Sequence, residues 1–127
     1  MAQVKKRILI VDEEKHVGGT IETMLKIYGF DRDYFTDPVL ALEKFKPNLY
    51  DLTILDIKMP KINGFELYEQ LKSRDSNIKT LFLTGLSSVE SYNTQNSKVY
   101  PLKGQRHFMA KPVSSKELLE QVYSMIN

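Results

Sequence analysis

Cysteine is missing from all 127 residues. That excludes disulfides, thiolate metal sites and a cysteine nucleophile, and it suits a cytoplasmic protein. An excess of one charge is also missing. Eighteen Lys and Arg against sixteen Asp and Glu leave a formal net charge of +2, too little to indicate a nucleic-acid surface. No apolar run approaches the ~18 residues that span a membrane. The first residues, Met1 to Lys6, have no apolar signal-peptide core before their charges. Glycines are present, but never at the spacings of the two common phosphate-binding loops. What is there is ordinary for one globular domain: 42% apolar and 27% charged residues. The expectation is a single cytoplasmic domain over residues 1–127, with no membrane contact.

Strand-like and helix-like segments alternate. Residues 7–11 form a β-branched run that reads as a buried strand. Val17, Ile21, Met24, Leu25 and Tyr28 give residues ~14–28 one apolar helical face, and Gly29 ends it. Gly18-Gly19 inside that helix should cost about 1 kcal/mol each against alanine. Residues 33–36 make a weaker strand. Asp37-Pro38 then reads as an N-cap followed by proline at the first helical position. Residues 51–56 give a third strand, 79–84 a fourth and 107–110 a short fifth. Asn63 with Glu66, and Ser114 with Glu117, are capping-box pairs opening helices. Ser87 with Glu90 has the same pattern, but residues 91–106 hold few helix formers, a proline and a glycine. A fourth helix there should be short or irregular. Strands alternating with helices predict an α/β fold, a parallel sheet with helices on both sides.

In such sheets ligands bind beyond the carboxyl ends of the strands. Those ends carry Asp12, Glu13, Asp56, Thr84 and, just after strand five, Lys111. Taken singly, Asp56 could be a loop cap, Thr84 a satisfied hydroxyl and Lys111 a solvated amine. Together they form one site. Two or three carboxylates suit Mg²⁺, which takes few protein oxygens and keeps several waters. A lysine ammonium supplies a point charge for a phosphate oxygen, and a threonine hydroxyl supplies a hydrogen bond. A carboxylate is a possible nucleophile toward phosphorus, giving an aspartyl-phosphate. His16 and His107 lack ligand spacing, and the scattered tyrosines read as packing.

The segments ILIVDEE, YDLTILDIKMPKINGFEL, LFLTG and FMAKPVSSKEL, in that order over nearly the whole chain, resemble the receiver domain of two-component response regulators. The resemblance implies a flavodoxin-like three-layer fold, with five parallel strands in the order 2-1-3-4-5 and five helices. It implies that Asp56 takes a phosphoryl group from a phosphohistidine on a sensor histidine kinase or a phosphotransfer protein. Glu13 and Asp56 would hold Mg²⁺ by side chain, Lys58 by its main-chain carbonyl, and Asp12 largely through water. Lys111 would pair with the phosphate. Thr84 would swing to meet it while Phe108, the switch aromatic, turns inward. The Lys111-Pro112 bond would be cis. Such a domain catalyses only its own phosphorylation and dephosphorylation. It signals through a protein target, an output domain or a phosphorylation-dependent homodimer, without touching nucleic acid itself.

This chain departs from the family pattern most in the polar, lengthened segment before strand five. Glu13 stands where an aspartate is usual, and Gly85 follows Thr84 where a small residue, often alanine, is usual. An alternative is a degenerate receiver that binds proteins without phosphate. A phosphatase with an aspartate nucleophile would need a second acid two residues on, and Lys58 stands there.

Overall fold

Alternation of apolar residues along each strand decides how this chain layers. The computed structural model describes residues 5–85 and 106–126. The elements are β1 (Arg7–Val11), α1 (Lys15–Ile27), β2 (Asp31–Phe35), α2 (Pro38–Lys44), β3 (Leu52–Asp56), α3 (Gly64–Arg74), β4 (Thr80–Thr84), β5 (Arg106–Ala110) and α4 (Ser115–Ile126). The five strands form one parallel sheet in the order β2-β1-β3-β4-β5. This is the expected α/β architecture and strand order. Four helices lie among the described residues. The irregular helix expected after Ser87 falls outside them.

Successive side chains of a strand face opposite ways. Ile8, Ile10, Leu52, Ile54, Leu81, Leu83 and Met109 therefore pack against Ile21 and Leu25 of α1 and Leu118 and Val122 of α4. Leu9, Val11, Leu55 and Phe82 face the other way, onto Ala41 of α2 and Leu67, Tyr68 and Leu71 of α3. Most of these side chains are fully buried, and each contributes about 1.5–3 kcal/mol on leaving water. The register also pairs Thr53 with Thr80, and their hydroxyls meet at 2.8 Å. Strand β2 begins two residues before the sequence reading placed it. Asp31 and Arg32 look like loop residues, but an edge strand tolerates charge.

The helix ends follow local chemistry. Gly29 sits at φ +85° after α1. Its N–H donates to the Lys26 carbonyl and that of Phe30 to the Leu25 carbonyl, a left-handed cap that glycine adopts without strain. Asp37 accepts from the Val39 N–H ahead of α2. Asn63 and Glu66 close a reciprocal capping box on α3. Ser114 accepts from the Glu117 N–H at α4. No helix among the described residues is long and apolar enough to cross a membrane.

The two glycines of α1 differ sharply. A Cβ on Gly18 would clash with the edge and hydroxyl of the Tyr34 ring, whereas one on Gly19 meets nothing within 4 Å. Gly18→Ala is therefore expected to cost about 1–3 kcal/mol by overpacking. Gly19→Ala should gain about 1 kcal/mol of helix propensity. Urea melts of the two variants check this, and equal effects of the same sign would refute it.

Away from the carboxyl ends of the strands, Asp33 and Asp75 each have several partners. Arg7 grips Asp33 with two nitrogens, at 3.1 and 2.8 Å, and the Tyr50 hydroxyl donates to the same carboxylate at 2.7 Å. Burial opposes the Asp33 charge, but the Arg7 and Tyr50 hydrogen bonds outweigh it and hold the group below its ordinary range. Buried Asp75 accepts the backbone N–H groups of Asn48 and Asn77, at 2.9 and 3.1 Å.

Candidate functional site

Every strand that carries a site residue delivers it at or just past its carboxyl end. Asp56 ends β3 and Thr84 ends β4, while Asp12 and Lys111 each follow a strand by one residue. Backbone bonds fix the loops there. The Asp12 N–H donates to the Phe35 carbonyl at 3.1 Å, that of Ile57 to Leu83 at 3.0 Å and that of Lys111 to Thr84 at 2.8 Å. Alternation then sorts the side chains. Asp12 and Asp56 continue the series of Ile8, Ile10, Leu52 and Ile54, and Lys111 that of Met109, so these three share the α1/α4 face. Thr84 continues from Phe82 and shares the α2/α3 face with Phe108.

Two close approaches hold the acid loops in place. The Tyr34 hydroxyl donates to the Asp12 carbonyl at 3.1 Å, a path open only because Gly18 lacks a side chain. The first turn of α3 presses on the β3 end. Gly64 donates its N–H to Ile57 at 2.8 Å, and a Cβ there would lie 2.8 Å from the Ile57 Cα.

Lys111 is the hub. Its Nζ lies 3.2 Å from Asp12 Oδ2, 2.8 Å from Glu14 Oε1 and 3.1 Å from Asp56 Oδ1. Asp12 is fully buried and Asp56 is 2% exposed. Oxygens of Asp12, Glu14 and Asp56 all lie within 4.8 Å of one another. Three carboxylates thus face one ammonium, and the balance shows in their protonation. Burial and the neighbouring Asp12 push Asp56 up to about 7, against the pull of Lys111. Burial alone would lower Lys111, but Glu14, Asp12 and Asp56 together raise it. The hydrogen bond from Lys111 lowers Glu14.

Asp12 Oδ2 is buried with only the Lys111 ion pair beside it, and Asp56 Oδ2 is buried and accepts no hydrogen bond among the described residues. A buried carboxylate oxygen left without a partner is costly. An all-oxygen donor set with excess negative charge fits a hard divalent cation such as Mg²⁺.

The sequence-derived residues do not all converge. Asp12, Asp56 and Lys111 do. Glu13 is exposed and is not in the convergent group, which instead contains Glu14. The signal for Glu14 was period two: residues 12 and 14 point the same way when the chain leaves a strand extended. Lys58 is exposed, two residues beyond Asp56. The Thr84 hydroxyl donates to the Gly85 carbonyl at 3.1 Å. Phe108 is half-buried, its ring 5.3 Å from Phe82 and 6.0 Å from Phe65. The Lys111-Pro112 bond is cis, as expected. Beside the acids, His16, Val17, Thr20, Ile21, Pro112 and Val113 line a groove of about 160 Å³.

The sequence matches the response regulator receiver domain family over residues 8–123. A probable transcriptional regulator, ycf27, of Porphyridium aerugineum is 32% identical over 123 residues, 96% of this chain and 48% of that protein. The chain spans about half the length of the curated relatives it matches. Among solved structures, the non-phosphorylated HemR receiver domain of Leptospira biflexa has a TM-score of 0.79 at 26% identity, covering 97% of this chain and 95% of that one. Response regulator TrrA of Thermotoga maritima, solved in complex with Mg²⁺ and BeF, has a TM-score of 0.75 at 29% identity, covering 94% and 98%.

Proposed function

The chain belongs to the response regulator receiver domains, and from that membership we propose that it takes a phosphoryl group onto Asp56 from a phosphohistidine. The observation that carries this reading is the buried Asp56 carboxylate, with one oxygen 3.1 Å from Lys111 Nζ and the other accepting no hydrogen bond among the described residues. The free oxygen attacks phosphorus, the P–N bond to the donor imidazole breaks, and its electron pair stays on the ring nitrogen, which takes a proton. Water later cleaves the acyl phosphate and restores the carboxylate.

Asp12 and Asp56 would hold Mg²⁺ by their carboxylates, with Glu13 and the Lys58 carbonyl on the adjoining loops. When bound, the cation offsets the charge that gathers on the phosphoryl oxygens. Lys111 pairs with one phosphoryl oxygen. Thr84 turns its hydroxyl from Gly85 to another. Phe108, on the same face as Thr84, follows it, and its contacts with Phe82 and Phe65 change. The new charge thereby becomes a shape that a partner reads. A histidine kinase or phosphotransfer protein docks over the groove beside the acids. Output passes to a protein target, an attached domain or a second copy of the chain.

Incubation with Mg²⁺ and acetyl phosphate should yield a labile phosphoryl adduct by intact mass, absent in EDTA. No adduct, or an adduct persisting in Asp56→Asn, would sink this reading and leave a phosphate-independent binding module. Continuous turnover of many phosphate esters would point to a phosphatase.

A further inference from the structure

Resting on Asp56 as the phosphoryl acceptor, we propose that Glu14 is a displaceable anion on Lys111, which an arriving phosphoryl group must exchange for its own oxygen. An ammonium has three protons, and three carboxylates surround this one at 2.8–3.2 Å. A phosphoryl oxygen can reach Lys111 only if one of them yields. Asp12 is fully buried and has no water to turn into. Asp56 is the acceptor itself. The Glu14 side chain is 58% exposed, so it regains hydration as it leaves.

The backbone points the same way. Glu14 occupies the N-cap of α1, yet its side chain makes no capping hydrogen bond. A carboxylate at a helix N-terminus is normally drawn to the free N–H groups and the positive end of the dipole. Here it reaches across to Lys111 instead, 97 residues away in sequence. Its main chain is tied at both sides: the N–H donates to Asp12 Oδ1 at 2.9 Å and the carbonyl accepts from Gly18 at 2.9 Å. Exchange therefore needs only side-chain rotation, and the released carboxylate finds the start of α1 beside it.

The contact is open to solvent on one side, so it tunes the site by a small factor. Glu14 is a positioning residue acting through Lys111. If it were instead a required metal ligand, its loss would weaken both Mg²⁺ and anion binding, the opposite sign.

The test uses the full chain with beryllofluoride, an anionic mimic of the phosphoryl group, at saturating Mg²⁺ and followed by tyrosine fluorescence. Glu14→Gln should bind it about two- to fivefold more tightly than wild type, the range for a partly exposed ion pair. Saturating Mg²⁺ keeps any change in metal affinity out of this reading. Glu14→Asp, which keeps the charge one methylene shorter, should fall between. Thermal melts establish that each variant is folded, with Glu14→Ala replacing any that is not. A gain in affinity is not an outcome of structural damage. Unchanged or weaker beryllofluoride binding in the folded variants overturns the inference while leaving Asp56 as acceptor. Absence of binding in every protein, wild type included, overturns the acceptor reading and this inference with it.

Discussion

Asp56→Asn removes the acetyl phosphate adduct completely and, at pH 8 in EDTA, makes the protein more stable than wild type. The first effect follows because an amide oxygen is not a nucleophile toward phosphorus under these conditions. The second follows from linkage. The folded state holds the Asp56 pKa at about 7, above its value near 4 in an unfolded chain. A raised carboxyl pKa means that the folded protein keeps a proton which the unfolded chain gives up. Stability from this group is present below about pH 4 and is lost as pH rises through about 7. At pH 8 the folded wild type carries the full cost of a desolvated charge beside Asp12, on the order of 2–4 kcal/mol. Asparagine does not ionise and can donate a proton toward Asp12. Melting temperatures should therefore differ by roughly 7–15 °C at pH 8, and the gap should close at pH 4. Saturating Mg²⁺ should narrow it, because the ion stabilises the wild type preferentially. A variant that melts below wild type at pH 8 would show that Asp56 carries no such cost.

Lys111→Ala produces the largest loss. The ammonium side chain is only 15% exposed and sits between two buried aspartates and Glu14. Taking away one member of a buried charge group leaves the others uncompensated. At pH 8 without metal the cost should be about 2–4 kcal/mol, below that for a dry pair because Asp56 can relieve it by taking a proton. For that reason the cost should shrink toward pH 5, where the folded state already holds the Asp56 proton. Lys111→Ala combined with Asp56→Asn should be destabilised by less than the sum of the two single changes. Denaturant melts of the four proteins at pH 8 and pH 5 measure the coupling. Strict additivity would mean that Lys111 does not act on Asp56. The same variant should retain Mg²⁺ binding but lose most of its affinity for beryllofluoride, since the metal's oxygens remain and the anion's partner does not.

Periodicity and capping carried most of the architecture. Alternating segments pointed to the parallel sheet. Asp37-Pro38 and Asn63 with Glu66 marked helix starts through chemistry that works within one turn. The meeting of Asp12, Asp56 and Lys111 was legible because polar residues ending apolar strands need a reason. Glu14 was not read, because its period-two spacing from Asp12 counts only if the chain stays extended into the strand-to-helix turn. That is settled when Asp12 accepts the Glu14 N–H and Glu13 is left in solvent. Gly18 showed only its helical cost in the sequence. Its purpose depends on Tyr34, a residue of another element passing over it. Asp75 carries no signal in the sequence, since nothing local reveals that a carboxylate will take the N–H of a loop 27 residues earlier.

That aspartate also bears on movement. By joining Asn48 to Asn77 it fastens the approach to β3 to the approach to β4, and the paired hydroxyls of Thr53 and Thr80 add a second rivet just inside the sheet. Pairing continues to the far ends of both strands, where the Ile57 N–H donates to the Leu83 carbonyl at 3.0 Å. The two strands therefore move as one plate, and any change at Asp56 and Thr84 falls to their side chains and to the loops beyond them.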